Sequence, residues 1–205
     1  DKSGSMQGLE KDTIGGYNAM LAQQRTVEGD CVITTVLFDN QYQLLHDRID
    51  IRAVRPLTQR EYFVGGSTAL LDAIGKTIDK IHTAQKNTAE DYRAERVLFV
   101  IITDGAENAS RRYSAMQVKK MIQQQKEQYG WEFIFLGANM DAVETAGQFG
   151  IDADRAADYV PDGEGTALNF RMMSQAAEAF RVCGTIPPEC LAKIKNDGKK
   201  RGGCR

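Results

Sequence analysis

Residues 96–103 read RVLFVIIT and residues 131–138 read WEFIFLGA. Both runs are apolar almost throughout. A strand with one face in water alternates polar and apolar, so unbroken runs of this length fit parallel strands covered on both faces. Parallel neighbours need a crossover, and a helical pattern supplies one between them, over 114–129, with Ser114 as its N-cap. Two covered strands joined by a helix constrain the fold more than any other feature of the chain.

The rest of the chain repeats the alternation. CVITTVLF (31–38) reads as a buried strand, and YQLLHDRI (42–49) alternates as a half-exposed neighbour, with DNQ (39–41) as the hairpin turn. ADYV (157–160) is a short last strand. A helix over 9–25 carries Ile14, Tyr17 and Leu21 at helical spacing, and one over 68–82 carries Leu70, Leu71, Ile74, Ile78 and Ile81 on one stripe. A short helix over 141–149 is stopped by Gly150, and 166–182 reads as the last helix. The expected architecture is α/β: a doubly wound, mostly parallel sheet with one antiparallel edge strand and helices on both faces. One domain is expected over 1–182. Beyond it, over 183–205, Pro187, Pro188 and a basic glycine-containing end suggest a loose tail.

Composition excludes several classes. The 205 residues carry 26 basic and 28 acidic side chains, a formal charge of -2, which argues against nucleic acid as partner. No run approaches the roughly 18 apolar residues of a membrane span, and the expected compartment is the cytoplasm. The four cysteines match no zinc spacing. Cys31 reads as a core residue, while Cys183, Cys190 and Cys204 read as free thiols. His46 and His82 have no partnered ligand spacing.

In open α/β sheets, ligands bind outside the carboxyl ends of the strands. Three stretches reach that rim. DKSGSM (1–6) sets Asp1, Ser3 and Ser5 at every second position. FVGGSTALLD (63–72) places Thr68 at a helix start. TDG (103–105) places Asp104 after the apolar strand. All five side chains supply oxygen, which selects magnesium, with manganese or calcium as alternatives, over zinc or copper. Neutral hydroxyls beside only two carboxylates leave the ion much of its charge, so that it attracts a further carboxylate from a partner protein.

DKSGSM, GGSTALLD and ITDG together resemble the von Willebrand factor A domain and its metal-ion-dependent adhesion site, whose pattern is Asp-x-Ser-x-Ser, a later Thr, then an Asp. The likeness extends over about residues 1–182. It is greatest to small stand-alone bacterial proteins of this type, through DGAENASRRYS (104–114) and GWEFIFLGAN (130–139). The resemblance implies a Rossmann-like fold and a magnesium-dependent protein-binding function without catalysis. It also implies that Ser3 and Ser5 coordinate directly, Thr68 directly or through water, and that Asp1 and Asp104 hold coordinating waters. It implies, further, a strand leading into Asp1, lying between those at 31–38 and 96–103. The chain is therefore expected to be a fragment, or to have its start placed too late, with about six to ten apolar, β-branched residues preceding Asp1 in the intact protein.

Asn139, Asp141, Glu107 and Arg111 lie near the same rim and are candidates to touch a partner, although one of Asn139 and Asp141 is expected to cap the helix at 141–149. Two other functions compete. A magnesium phosphohydrolase of the haloacid-dehalogenase type also begins from an Asp at a strand end, but needs a second Asp where Ser3 stands. A scaffold in which the metal only staples loops needs no partner carboxylate.

Overall fold

The computed structural model describes residues 1–201. In chain order the elements are α1 (Glu10–Gln24), β1 (Val32–Phe38), β2 (Tyr42–Asp50), α2 (Leu70–Asn87), β3 (Leu98–Thr103), α3 (Ala115–Tyr129), β4 (Glu132–Gly137), α4 (Ala142–Gln148), β5 (Ala156–Asp158), α5 (Gly163–Cys183) and α6 (Glu189–Arg201). No described helix is long and apolar enough to cross a membrane.

β3, β4 and β5 form a parallel sheet in that order, with β3 and β4 in unbroken register from Leu98↔Glu132 to Thr103↔Gly137. β1 and β2 form a separate antiparallel pair, as the hairpin reading expects. β1 and β3 do not pair with each other.

β4 shows why its run is apolar throughout. Phe133 and Phe135 pack with Ile74 and Ile78 of α2, Val118 and Ile122 of α3 and Phe149. Ile134 and Leu136, on the other face, pack with Met172, Met173 and Phe180 of α5 and Leu191 and Ile194 of α6. The strand's two-residue period thus feeds two cores. A third cluster joins Tyr17 and Leu21 of α1 to Phe170 of α5, Leu37 of β1 and the loop residues Val54, Leu57 and Tyr62.

Helix ends follow local chemistry. Ser114 and Gln117 form a capping box at the start of α3. Asp141 Oδ1 accepts from Glu144 N at 2.8 Å and caps α4. α5 starts at Gly163, earlier than the expected 166, because Asp162 Oδ1 accepts from Gly165 N at 2.7 Å. Gly165 is also required by space: a Cβ there would lie 2.1 Å from the Val160 carbonyl oxygen.

The expected loose tail is instead largely helical. α6 buries Cys190, Leu191 and Ile194 against the α5 side of the sheet. Its three buried residues supply an apolar stripe that a lysine-rich sequence obscures. Cys31, Cys183 and Cys190 are free thiols; Cys204 lies outside the described residues.

Candidate metal centre

The site forms where β1 and β3 end. Lys2 N donates to Phe38 O at 2.7 Å, and the Asp1 α-amino nitrogen donates to Ile102 O at 3.1 Å. The first two residues therefore lie between the carboxyl ends of the two strands. Both oxygens of the Asp1 carboxylate are engaged: Oδ1 accepts from Ser3 N at 2.7 Å and Oδ2 from Thr103 Oγ1 at 2.6 Å. Tyr62 Oη donates to the Asp1 carbonyl at 2.8 Å. The chain then turns, and Ser3 Oγ lies 2.9 Å from Ser5 Oγ.

Thr68 is brought in by a second loop. Gly65 N donates to Lys2 O and Gly4 N to Gly66 O, at 3.0 and 3.1 Å, which lays residues 65–66 along the DKSGS turn. Gly66 takes a positive φ of 75° to do so, a conformation that suits glycine. Asn108 then fixes Thr68 from the other side. Its Oδ1 accepts from Thr68 N at 2.9 Å, and its own N donates to Thr68 O at 3.0 Å.

Gly105 shows how closely the loops meet. A Cβ built there would lie 2.9 Å from Ser5 Oγ and 3.2 Å from Thr68 Oγ1. The residue after Asp104 must therefore be small for these two hydroxyls to sit together. Ser3, Thr68 and Asp104 are buried while Ser5 is exposed, so the cluster opens to solvent on one side.

Asp104 is 2% exposed, and its Oδ1 has no hydrogen-bond partner. Burial raises its pKa, opposed by the Ser5 hydroxyl and the Asp1 α-amino group. An unpartnered buried carboxylate oxygen beside clustered hydroxyls is the environment a hard cation satisfies. Among the described residues, no three His, Cys, Asp or Glu side chains gather into a group that could hold a metal. A cation here would have to rely on serine and threonine oxygens, and those present fit that demand.

The rim candidates separate. Asn139 sits in the left-handed region, φ 55°, with Nδ2 3.4 Å from the Asp104 carbonyl, so it borders the site. Asp141 caps α4, as the alternative reading of that residue expects. Glu107 is a loop brace: its carboxylate accepts from Leu71 N, Ala109 N, Ser110 N and Ser110 Oγ. Arg111 is exposed, and its backbone N donates to Asp72 at 3.0 Å. Burial pushes the Asp72 carboxyl up, but donation from the backbones of Arg111, Tyr113 and Arg112 leaves it below the ordinary range. The histidines lie elsewhere: His46 bonds Tyr17 and Thr35, and His82 bonds Gln125.

Sequence reasoning missed Thr103, Asn108 and Tyr62, which position Asp1 and Thr68. A polar Thr103 ending an apolar strand was a usable signal. Asn108 and Tyr62 had none, because their bonds cross between loops.

No protein-family model and no curated protein matches the sequence. Among solved structures, the chain is similar to a von Willebrand factor type A protein from Catenulispora acidiphila, with a TM-score of 0.55. The chain has a von Willebrand factor A-like fold. The match has 15% identity and covers 87% of this chain but 41% of that one. At that identity, the likeness speaks for the A-like fold alone.

Proposed function

We propose that the domain binds a protein partner through a divalent cation, magnesium first, with manganese or calcium able to replace it. Ser3, Ser5 and Thr68 would hold the ion by their hydroxyls, and Asp1 and Asp104 would hold its waters. When bound, the cation supplies an open position for a Glu or Asp carboxylate of the partner. The observation that carries this reading is the meeting of the Ser5 and Thr68 hydroxyls over Gly105 beside the unpartnered Oδ1 of Asp104. The A-like fold, which the sequence resemblance ties to protein binding, and the solvent opening at Ser5 support it.

The chain's own residues suit binding more than catalysis. Asp1 has both carboxylate oxygens engaged by Ser3 and Thr103, so it is held for orientation and not presented as a free nucleophile. Position 3 is a serine hydroxyl, which does not shuttle protons near neutral pH.

Isothermal titration with magnesium, followed by an acidic peptide, tests the reading. Magnesium should bind the native chain, Ser5→Ala should abolish the heat, and peptide binding should vanish in EDTA. Peptide binding that survives EDTA overturns the metal bridge. Metal binding with no carboxylate uptake makes the ion a staple. Hydrolysis of an aryl phosphate that is lost in Asp1→Asn makes the domain a phosphohydrolase.

A further inference from the structure

The loop that brings in Thr68 carries an exposed aromatic ring. Among the described residues, Phe63 is the one large, exposed apolar side chain on this loop, and it is 59% exposed. The Lys2 ammonium lies 4.5 Å from the ring centroid and 3.4 Å from Asp39 Oδ2. Lys2 itself is 5% exposed, so the cation sits beneath the ring and fixes it by cation–π attraction. Gly65 N donates to Lys2 O, which seats the Phe63 loop beside the DKSGS turn. A single exposed apolar side chain is ordinary. One that is held rigid beside the opening of a polar cluster has the character of an interface anchor, where aromatic residues carry much of the binding energy.

The opposite side of the opening carries positive charge. Glu107 accepts from Leu71 N of α2. Asp72 accepts from Arg111 N at 3.0 Å, Arg112 N at 2.8 Å and Tyr113 N at 2.9 Å. The two carboxylates thereby fasten the loop that follows Asp104 to the start of α2. Their oxygens are spent on these donors. Among the described residues, the Arg111 guanidinium has no hydrogen-bond or ion-pair partner, although its backbone is fixed. Arg112 differs, since its charge acts on Asp72.

The two features flank the cation position. Tyr62, next to Phe63, packs with α1 and α5, whereas α2, which holds Arg111, covers the other face of the sheet. Contacts run in order from the Phe63 ring to Lys2, from Lys2 to Gly65, from Gly66 to Gly4, from Thr68 to Asn108 and from Asp72 to Arg111. The Ser5 and Thr68 hydroxyls lie in the middle of that series. Asp72 stands one helical turn beyond Thr68, about 5.4 Å along the chain axis. In an extended peptide, alternate side chains point to one side and are about 6.6 Å apart. A segment with its central carboxylate on the ion therefore brings the side chains two positions away toward Phe63 and Arg111. A guanidinium there suits a carboxylate, which it can hold by two parallel hydrogen bonds.

We propose that Phe63 and Arg111, with the cation between them, form a docking surface for an extended acidic segment. Its central Glu or Asp meets the ion, a second Glu or Asp two positions away meets Arg111, and an apolar side chain two positions away in the other direction meets Phe63. The surface rests on the metal-bridge reading, because the ion fixes where the central carboxylate sits.

The test is fluorescence anisotropy of labelled Leu-Ser-Glu-Ser-Glu and Glu-Ser-Glu-Ser-Leu, which cover both chain directions, on the full chain with magnesium, beside calorimetric titration with magnesium alone. One of the two orders should bind. Replacing its outer Glu by Gln should weaken binding by about threefold or more, and replacing its Leu by Gly by about fivefold or more. In Arg111→Ala the first difference should disappear and the second remain. In Phe63→Ala the reverse should hold, while Phe63→Leu should keep most of the preference for Leu. Magnesium heat with no peptide binding, or with equal binding of the altered peptides, overturns the surface and leaves the ion in place. Absence of magnesium heat overturns the metal reading and the surface with it. A loss of the preference for Glu in Arg112→Ala as large as that in Arg111→Ala makes the effect one of net charge and also overturns the surface.

Discussion

Thr103 Oγ1 donates to Asp1 Oδ2 at 2.6 Å and so ties the DKSGS turn to the end of β3. With Oδ1 taken by Ser3 N, the carboxylate cannot rotate. Groups that orient metal-holding side chains matter nearly as much as those side chains themselves. Thr103→Val keeps the shape and removes the donor. Magnesium affinity should fall by about tenfold or more, while Thr103→Ser should keep most of it. Calorimetric titration of both variants checks this.

Asn108 holds Thr68 by its amide nitrogen and its carbonyl. Asn108→Ala removes the side-chain half of this clamp and leaves the Asn108 N bond to Thr68 O. The Thr68 loop should then exchange its amides faster, with magnesium affinity reduced about tenfold. Asn108→Asp keeps an acceptor and should recover the loop's protection. Unchanged exchange at Thr68 in Asn108→Ala would remove Asn108 from the site's support.

The parts of this fold that could be read from the sequence are those whose cause is local. The unbroken apolar run of β4 declares its two buried faces, and Ser114 with Gln117 declares the start of α3. α5 hides its start because Gly163 and Gly165 weaken the helical pattern, although Asp162 caps it and Gly165 packs on Val160. α6 hides because Cys190, Leu191 and Ile194 are its only buried residues among many charges. Pro187 and Pro188 read as a break, yet they precede a helix start, where proline is tolerated. At the candidate site, DKSGS, Thr68 and Asp104 stood out by spacing. Glu107 looked like a rim residue because its four backbone and hydroxyl donors come from loop closures, which no local pattern shows.

Ile194 tests whether α6 belongs to the folded core. It is 1% exposed and packs in the cluster beneath Ile134 and Leu136. Truncating a buried aliphatic side chain to alanine costs about 2–5 kcal/mol. Ile194→Ala should lower the urea midpoint by a corresponding amount, whereas Lys199→Ala, on the exposed side, should leave it unchanged. A loose tail would show no effect for either.

His46 gives the fold a pH dependence. It is 8% exposed and bonded to Tyr17 Oη and Thr35 Oγ1. Burial holds its pKa below the ordinary 6.5, with Glu61 opposing. The unfolded chain therefore takes up this proton more readily than the folded one. The stability that neutral His46 contributes is whole above about pH 6.5 and is lost as pH falls through the folded value. Between pH 7 and 5 the native chain should lose more stability than His46→Gln, which carries no titrating group. Parallel pH profiles of the two would assign the dependence to other residues.

Asp104 should show opposite effects on fold and function. Its carboxylate is buried, one oxygen has no partner, and desolvation raises its pKa. A charge held this way destabilises the metal-free fold, a pattern common at functional sites. Asp104→Asn keeps the shape and removes the charge. In EDTA, its melting temperature should exceed that of the native chain. With magnesium the order should reverse, because a ligand that binds only the folded state raises stability with the logarithm of its concentration relative to its Kd. The native chain should gain several degrees, and Asp104→Asn should gain none. If both chains respond equally to magnesium, Asp104 does not serve the ion. If Asp104→Asn melts lower in EDTA, the buried carboxylate stabilises the fold and the cost assigned to it here is wrong.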